Sequence, residues 1–301
     1  MNLKKFAMYA LAGTMAFGLT ACLDDSGTNS GTIGGGSSLS GRDNGGDDNG
    51  RDNTPSTVGP NGYDYKDSRS YRDYTDELTS GSQKYPVVRI GDQLWMGSNL
   101  NDPSAGICYE DDEENCDRFG RLYSWAEAMA LDTSYNYRDA TLKIKNKHQG
   151  ICPDGWRLPT ETDFEKLKDF LLYDYDHDDI ALDNGLDEDA DISGIQLKST
   201  NYDINDDMLW SSLDGIAGED TYGFYGVGTG FGRTEWTTDE YGYDVVEFTF
   251  HDIAEVTHFW TATQLDDNRA RSYNLYFRDA YMAQDYWDKD VLNTVRCMKD
   301  I

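Results

Sequence analysis

The segment CPDGWRLPTETDF, residues 152–164, constrains the fold of this chain more than any other stretch. Pro159 disfavours helix in the residue before it, and Thr160 then provides an N-cap oxygen for a helix that begins immediately afterwards. Asp163 completes a capping box three residues later. Apolar residues follow at helical spacing, at Phe164, Leu167 and Leu171. The segment therefore predicts a rigid turn that leads into an amphipathic helix at about 160–173.

The cysteines add a second constraint. Cys22 follows an apolar leader, which leaves Cys108, Cys116, Cys152 and Cys297, an even number, as expected of an exported protein with disulfide bonds. Three pairings of these four are possible. We favour Cys108–Cys116 together with Cys152–Cys297, because the second bond would connect distant parts of the chain. No CxxC motif occurs, so the sequence gives no support to a zinc site.

Several motifs of the C-terminal two thirds resemble the Fibrobacter succinogenes major paralogous domain (FISUMP) family. In chain order they are VRIGDQLWM at 88–96 with Asn99-Leu100, GRLYSW at 120–125, CPDGWRLPT at 152–160, LKST at 197–200, YGF at 222–224, FWTAT at 259–263 and VRC at 295–297. The resemblance covers about residues 86–301. It implies an α+β fold like that of C-type lectins, with two helices and short, mostly antiparallel sheets, and a distant similarity to formylglycine-generating enzymes. It implies no particular activity.

Two segments precede the predicted domain. Residues 1–21 have the basic start and apolar run of a signal peptide, and the sequence LTAC at residues 19–22 resembles a bacterial lipobox. We predict cleavage before Cys22 and acylation of that cysteine with palmitate-like chains, which would anchor the protein in a membrane. Leu23 rather than Asp follows the cysteine, which favours the outer membrane. Residues 22–81, rich in Gly, Ser, Asn and Asp, predict a disordered, flexible tether, and residues 82–301 form the domain.

The chain is strongly acidic, with 56 Asp and Glu against 26 Lys and Arg and a net charge of −30. This charge argues against nucleic acid as a partner and against electrostatic docking on anionic lipid. The densest acidic stretch is 174–191, where Asp187, Asp189 and Asp191 alternate and are candidate ligands of a structural calcium ion. An EF-hand register that starts at Asp187 lacks the required glycine and glutamate. The alternative interpretation is a solvated acidic insertion.

Periodicity predicts the other elements. A second capping box, Ser124 with Glu127, predicts a helix at about 124–131. The segment from Pro86 to Trp95 predicts a hairpin with a Gly91-Asp92 turn. Alternating aromatic or β-branched residues predict strands at 245–250, 259–263, 270–277 and 293–297. Alternate glycines predict a flattened or bulged strand region, at Gly226, Gly228, Gly230 and Gly232.

The sequence gives little support to catalysis. The four histidines lack zinc-ligand spacing, no Gly-x-Ser-x-Gly motif occurs, and two disulfides would leave no thiol for chemistry of the formylglycine-generating kind. The acidic residues do not single out one glycosidase-like pair. The proline-containing calcium and sugar motifs of C-type lectins are also absent, since no proline follows Pro159. We therefore predict that the protein is not an enzyme.

Six aromatic residues in polar, loop-like stretches are the candidate ligand-binding residues. They are Trp236, Tyr241, Tyr243, Tyr281, Tyr286 and Trp287. We predict a lipoprotein displayed at the cell surface that binds polysaccharide or another ligand of the cell envelope, in adhesion. Alternatively, these rings cover the core, and the protein is a structural envelope component that acts through protein–protein contacts. A less favoured alternative is an enzyme of the formylglycine-generating or glycoside-acting kind.

Overall fold

The computed structural model describes residues 76–174, 177–203, 205–212 and 215–301. Within these residues the chain forms eleven strands and five α-helices in an α+β arrangement. The predicted signal peptide, Cys22 and most of the predicted tether lie outside the described residues. No helix in the described ranges has the length and apolar character needed to cross a membrane.

The strands are β1 (Asp76–Ser80), β2 (Gln83–Ile90), β3 (Gln93–Met96), β4 (Leu122–Tyr123), β5 (Thr229–Thr238), β6 (Asp244–Ile253), β7 (Val256–Gln264), β8 (Arg269–Tyr276), β9 (Ala283–Asp288), β10 (Asn293–Thr294) and β11 (Met298–Asp300). The helices are α1 (Glu113–Phe119), α2 (Trp125–Ala128), α3 (Glu161–Leu172), α4 (His177–Asp183) and α5 (Ser193–Leu197).

The strands form three sheets. The first has the order β1-β2-β3-β11, the second β4-β10-β7-β8-β9, and the third is the two-stranded hairpin β5-β6. All pairs are antiparallel except β10 with β7. The predicted hairpin is confirmed as β2–β3, and its turn places Gly91 at a φ of 59°, a conformation that glycine adopts at low cost.

Both predicted helices are present, each with its capping box. The Thr160 hydroxyl caps α3 and the Ser124 hydroxyl caps α2. Helix α2 is shorter than predicted because Ala130 adopts a φ of 50° and the N–H of Leu131 donates to the carbonyl of Ala126, which closes the helix. The resemblance implied two helices, whereas the described chain contains three more, α1, α4 and α5.

The strands differ from the prediction in four places. Strand β5 begins in the predicted glycine-rich strand region and continues through a stretch that was interpreted as a loop, and β9 replaces another such stretch. The predicted strand at 293–297 is divided between β10 and a crossing segment, whose carbonyls accept from the N–H groups of β3 and the loop after it. Strand β1 lies inside the predicted tether, so regular structure begins before residue 82. Gly230, with a φ of 61°, allows a close approach of β5 to β6 that a Cβ atom would block.

Aromatic side chains dominate the core between the sheets and α3. Phe164 stacks on Tyr273, with ring centroids 4.6 Å apart, and also contacts Trp95 at 5.1 Å. A neighbouring cluster contains Trp125 and Trp260, both fully buried. Burial of such large rings contributes a major part of the hydrophobic free energy of folding.

Both favoured disulfide bonds are present. Cys108–Cys116 spans 8 residues of sequence and Cys152–Cys297 spans 145. Beside the long-range bond, Arg157 and Met298 form a β-bridge. The 152–160 motif and the C-terminal segment that begins with the 295–297 motif are therefore joined both covalently and by backbone hydrogen bonds.

Candidate functional site

The most exposed aromatic surface of the described chain lies on the β5–β6 hairpin. Trp236 is 75% exposed and pairs across the hairpin with Val246, which is 54% exposed. Phe248, 40% exposed, pairs with Thr234 and therefore lies on the same face. We call Trp236, Val246 and Phe248 the hairpin apolar face.

This face is continuous with the body of the domain. The ring of Phe248 contacts that of Phe250 at 5.1 Å, and Phe250 contacts Tyr109 at 4.9 Å. The first four residues of β5 are buried, whereas the later ones alternate between intermediate and exposed. The hairpin is thus rooted in the core at one end and reaches into solvent at the other.

The hairpin tip holds two of the predicted aromatic residues. Tyr241 is 76% exposed and Tyr243 is 70% exposed. The carboxylate of Asp239 accepts hydrogen bonds from both backbone N–H groups at 2.9 Å, and Gly242 takes a φ of 85°. A short, internally bonded turn therefore presents two tyrosines beside the strand that carries Trp236.

The other three predicted aromatic residues lie outside the hairpin. Tyr281 and Tyr286 are 44% and 47% exposed, and Tyr286 lies beneath the guanidinium of Arg269 at 4.9 Å. Trp287 faces inward, with its ring 4.6 Å from His258 and 5.0 Å from Phe231. Because side chains alternate along β9, exposure of Tyr286 requires Trp287 to turn toward the core. For Trp287 the alternative interpretation, a ring that covers the core, is the one observed.

The candidate calcium ligands do not converge. Asp191 accepts from Ser193 through one carboxylate oxygen and from the ammonium of Lys168, at 2.6 Å, through the other. Asp187 and Asp189 are exposed. Within the described ranges, the single cluster with ligand atoms close enough for a metal ion is Cys108, Glu113 and Cys116, whose two sulfurs form a disulfide. Asp191 thus bonds the first residue of α5 and a lysine ammonium, an arrangement that fits a solvated acidic insertion.

The opposite face of the hairpin carries a polar cluster. Glu235 accepts from the hydroxyl of Thr249 at 2.8 Å and from Arg233, and these hydrogen bonds lower the pKa of Glu235. Nε2 of His251 lies 2.7 Å from the Thr249 hydroxyl and 3.3 Å from Glu235. In a catalytic triad the acid bonds the ring nitrogen that does not face the nucleophile. Here both groups face Nε2, so the cluster lacks that geometry.

The family model of the Fibrobacter succinogenes major domain matches residues 88–299, which is more than half of the chain. The chain belongs to this family. No curated protein and no solved structure shows a significant match. The likeness to C-type lectins and to formylglycine-generating enzymes therefore stays a prediction.

In this Fibrobacter succinogenes major domain, three basic residues of the motifs are buried, and they hold segments of the fold together. The ammonium of Lys198, from the LKST motif, donates to the carbonyls of Ile216, Tyr276 and Asp279 at 2.8, 3.1 and 2.9 Å. Burial lowers the pKa of Lys198 to about 8. One cation thus joins the segment at Ile216 to the end of β8 and the turn that follows it, and it provides a donor for carbonyls of both.

Arg296, from the VRC motif, has the same role at a second position. It is fully buried and donates to Oδ1 of Asn99 and to the carbonyls of Met96, Phe224 and Tyr225. Its guanidinium also lies over the ring of Phe224 at 4.3 Å. Residues from three motifs, at 88–100, 222–224 and 295–297, therefore meet at one cation.

A third cation, Arg157 of the CPDGWRLPT motif, joins the start of α3 to the C-terminal residues. Arg157 binds Asp163 through two hydrogen bonds of 2.7 and 2.9 Å and Asp300 at 2.7 Å. Burial opposes the charge of Asp163, but hydrogen bonds from Arg157 and Thr160 outweigh it and hold the pKa of that carboxyl below its usual value. The motifs that define the family therefore build its scaffold, and a ligand surface is to be sought elsewhere.

Trp236, Tyr241 and Tyr243 were predicted from the sequence as ligand-binding residues, whereas Val246 and Phe248 were not. The signal was available, because Val246, Phe248 and Phe250 alternate along a predicted strand. What was missing was the partner strand β5, whose register places Trp236 on the same face.

Proposed function

We propose that this protein is a lipid-anchored component of the outer membrane, displayed at the cell surface, whose domain binds polysaccharide without catalysis. The observation that carries the proposal is the hairpin apolar face, where Trp236 is 75% exposed beside Val246 and Phe248. Contiguous exposed apolar surface is typical of interaction sites. An aromatic ring covers the C–H face of a sugar, and the neighbouring Thr234 and Thr238 can bond sugar hydroxyls.

Two observations support a non-catalytic function. The four described cysteines are paired in disulfides, which leaves none of them as a thiolate nucleophile or metal ligand. The cluster of Glu235, Thr249 and His251 lacks the arrangement of a nucleophile, a base and an orienting acid.

Replacement of Trp236 by Ala tests the binding surface. We expect the full chain to be retained on insoluble cellulose or xylan, equally with calcium and with a chelator, and Trp236→Ala to bind about tenfold more weakly, a loss of about 1.4 kcal/mol. Retention is measured as bound fraction against matrix concentration. Tyr137→Ala removes another exposed aromatic side chain, 64% exposed, and serves as the control that keeps wild-type retention. Equal losses in the two variants, or no retention of the wild type, would contradict the proposal.

A protein partner is the second candidate. The observation that favours it is the aliphatic and phenyl part of the face, Val246 and Phe248, which offers nothing specific to a sugar. This alternative replaces the first if two results are obtained. The wild type is not retained on any polysaccharide matrix, and it cross-links to an envelope protein that neither Trp236→Ala nor Phe248→Ala cross-links.

Replacement of Cys22 by Ser tests the anchor. We expect the wild type to incorporate labelled palmitate and to sediment with the outer membrane, because several acyl chains bind a bilayer stably. Cys22→Ser is expected to lose the label completely. Digestion of intact cells with protease reports whether the domain faces the medium. Label retained in Cys22→Ser would refute lipidation at this residue.

A further inference from the structure

A cleft of about 500 Å³ follows helix α2, and its charged side chains are all basic. Lys143, Lys145 and Lys147 line it, and no Asp or Glu does. A second cleft of about 390 Å³ shares Lys147 and adds Lys299 and Asp300. In a chain with 56 acidic and 26 basic residues, a concave surface without a carboxylate is not what composition predicts. We call the larger one the lysine cleft.

His148 fixes the shape of the lysine cleft. The N–H of Lys145 donates to Nδ1 of His148 at 3.1 Å, so Nε2 carries the proton and donates to the carbonyl of Met129 at 2.8 Å. Ala130 and Lys147, both lining residues, adopt φ values of 50° and 53°. Left-handed backbone at non-glycine residues costs about 1 kcal/mol or more each, so the surrounding contacts hold both residues in place. The loop is therefore tied to the end of α2, and the cleft is formed before any ligand arrives.

Two of the three ammonium groups are available to a ligand. Lys147 pairs with Asp300 at 2.9 Å. Lys143 and Lys145 are exposed, and within the described ranges neither takes part in an ion pair. The backbone carbonyls of Ala128 and Met129, at the end of α2, already accept hydrogen bonds from Ile151 and His148.

We propose that the lysine cleft binds a carboxylate-bearing polysaccharide chain. The inference rests on the proposed function for the class of ligand and adds a second, electrostatic site to it. Separate ammonium groups around the cleft suit charges spaced along a polymer, and the lining has no arginine fork for bidentate binding of one phosphate. A broad anionic surface, such as a membrane or a nucleic-acid duplex, would meet the net charge of −30. A thin, flexible chain can bind in the cleft without being repelled by the acidic residues elsewhere, because salt screens exposed charges beyond about 8 Å.

The test measures binding of the full chain to polygalacturonate, as the carboxylated probe, and to neutral xylan at two salt concentrations. We expect the double variant Lys143→Gln, Lys145→Gln to bind polygalacturonate at least tenfold more weakly and with a smaller dependence on salt. Lys166→Gln, which removes an exposed lysine of α3, should stay within twofold of the wild type. Both variants should bind neutral xylan as the wild type does.

Three outcomes would overturn the inference. The first is that the double variant binds polygalacturonate as tightly as the wild type. The second is that Lys166→Gln loses as much affinity as the double variant. The third is that inorganic phosphate displaces polygalacturonate more effectively than sodium chloride does at the same ionic strength. Failure here is separable from failure of the proposed function, because Trp236→Ala is assayed on neutral matrices and retains every lysine of the cleft.

Discussion

Replacement of Arg296 by Met is expected to destabilise the domain by about 3–5 kcal/mol, which is enough to unfold many domains. Met fills part of the space but donates no hydrogen bond. Oδ1 of Asn99 and the carbonyls of Met96, Phe224 and Tyr225 would then be buried with fewer partners. Each buried acceptor left without a donor costs about 1–3 kcal/mol. The free energy of unfolding in guanidinium chloride, with disulfides intact, measures the loss.

Arg278→Met is the matched control, because the side chain of Arg278 is exposed and lies over the ring of Phe277. Its expected effect is within about 0.5 kcal/mol, as for most surface substitutions. If Arg296→Met does not fold, Asn99→Ala provides a milder test, since it removes one acceptor and should cost about 1–3 kcal/mol. A free energy of unfolding that is unchanged in Asn99→Ala would contradict the structural role of this cation.

Local rules account for the parts of the fold that were predicted correctly. The capping boxes at Ser124 and Thr160 and the turn at Gly91 depend on residues within three or four positions, so the sequence contains the whole signal. The disulfide pairing was favoured because Cys152 and Cys297 were the pair that would tie the domain together. Helix α1, in contrast, begins between the bonded cysteines Cys108 and Cys116 and was not predicted.

Features that depend on distant segments were not predictable in the same way. Lys198 and Arg296 look like surface cations in the sequence, and the burial of each depends on carbonyls from two other segments of the chain. Trp236 was assigned to a loop-like stretch because the other residues from Arg233 to Thr238 are all polar. Asp191 was a candidate metal ligand because it alternates with two other carboxylates, and the sequence does not reveal that Lys168, 23 positions earlier on α3, pairs with it.

The same distinction separates the two candidate binding surfaces. The aromatic residues of the hairpin were visible in the sequence as aromatic residues without apolar neighbours. The lysine cleft was not, because its significance depends on the absence of carboxylates from its lining, which only the fold reveals. The family motifs identified neither surface, since their polar residues hold the scaffold together.

Loss of the Cys152–Cys297 bond is expected to cost about 5 kcal/mol. In the chain-entropy model a cross-link stabilises by restricting the unfolded chain, and the effect grows with the size of the loop. This bond has a sequence separation of 145. The double variant Cys152→Ala, Cys297→Ala should therefore lose about 5 kcal/mol in its free energy of unfolding, and its midpoint in guanidinium chloride should fall accordingly.

The Cys108–Cys116 bond is a matched control, because its sequence separation is only 8 and all four cysteines are buried. Removal of either pair by alanine costs similar packing, so the difference between the two double variants isolates the size of the loop. The model predicts a loss of about 2.5 kcal/mol for the short bond, half that of the long one. Equal losses would show that loop size does not determine the stabilisation and that local packing around each sulfur pair does. A difference of about 2.5 kcal/mol would instead mean that one covalent link between the 152–160 and 295–297 motifs provides much of the stability of the domain.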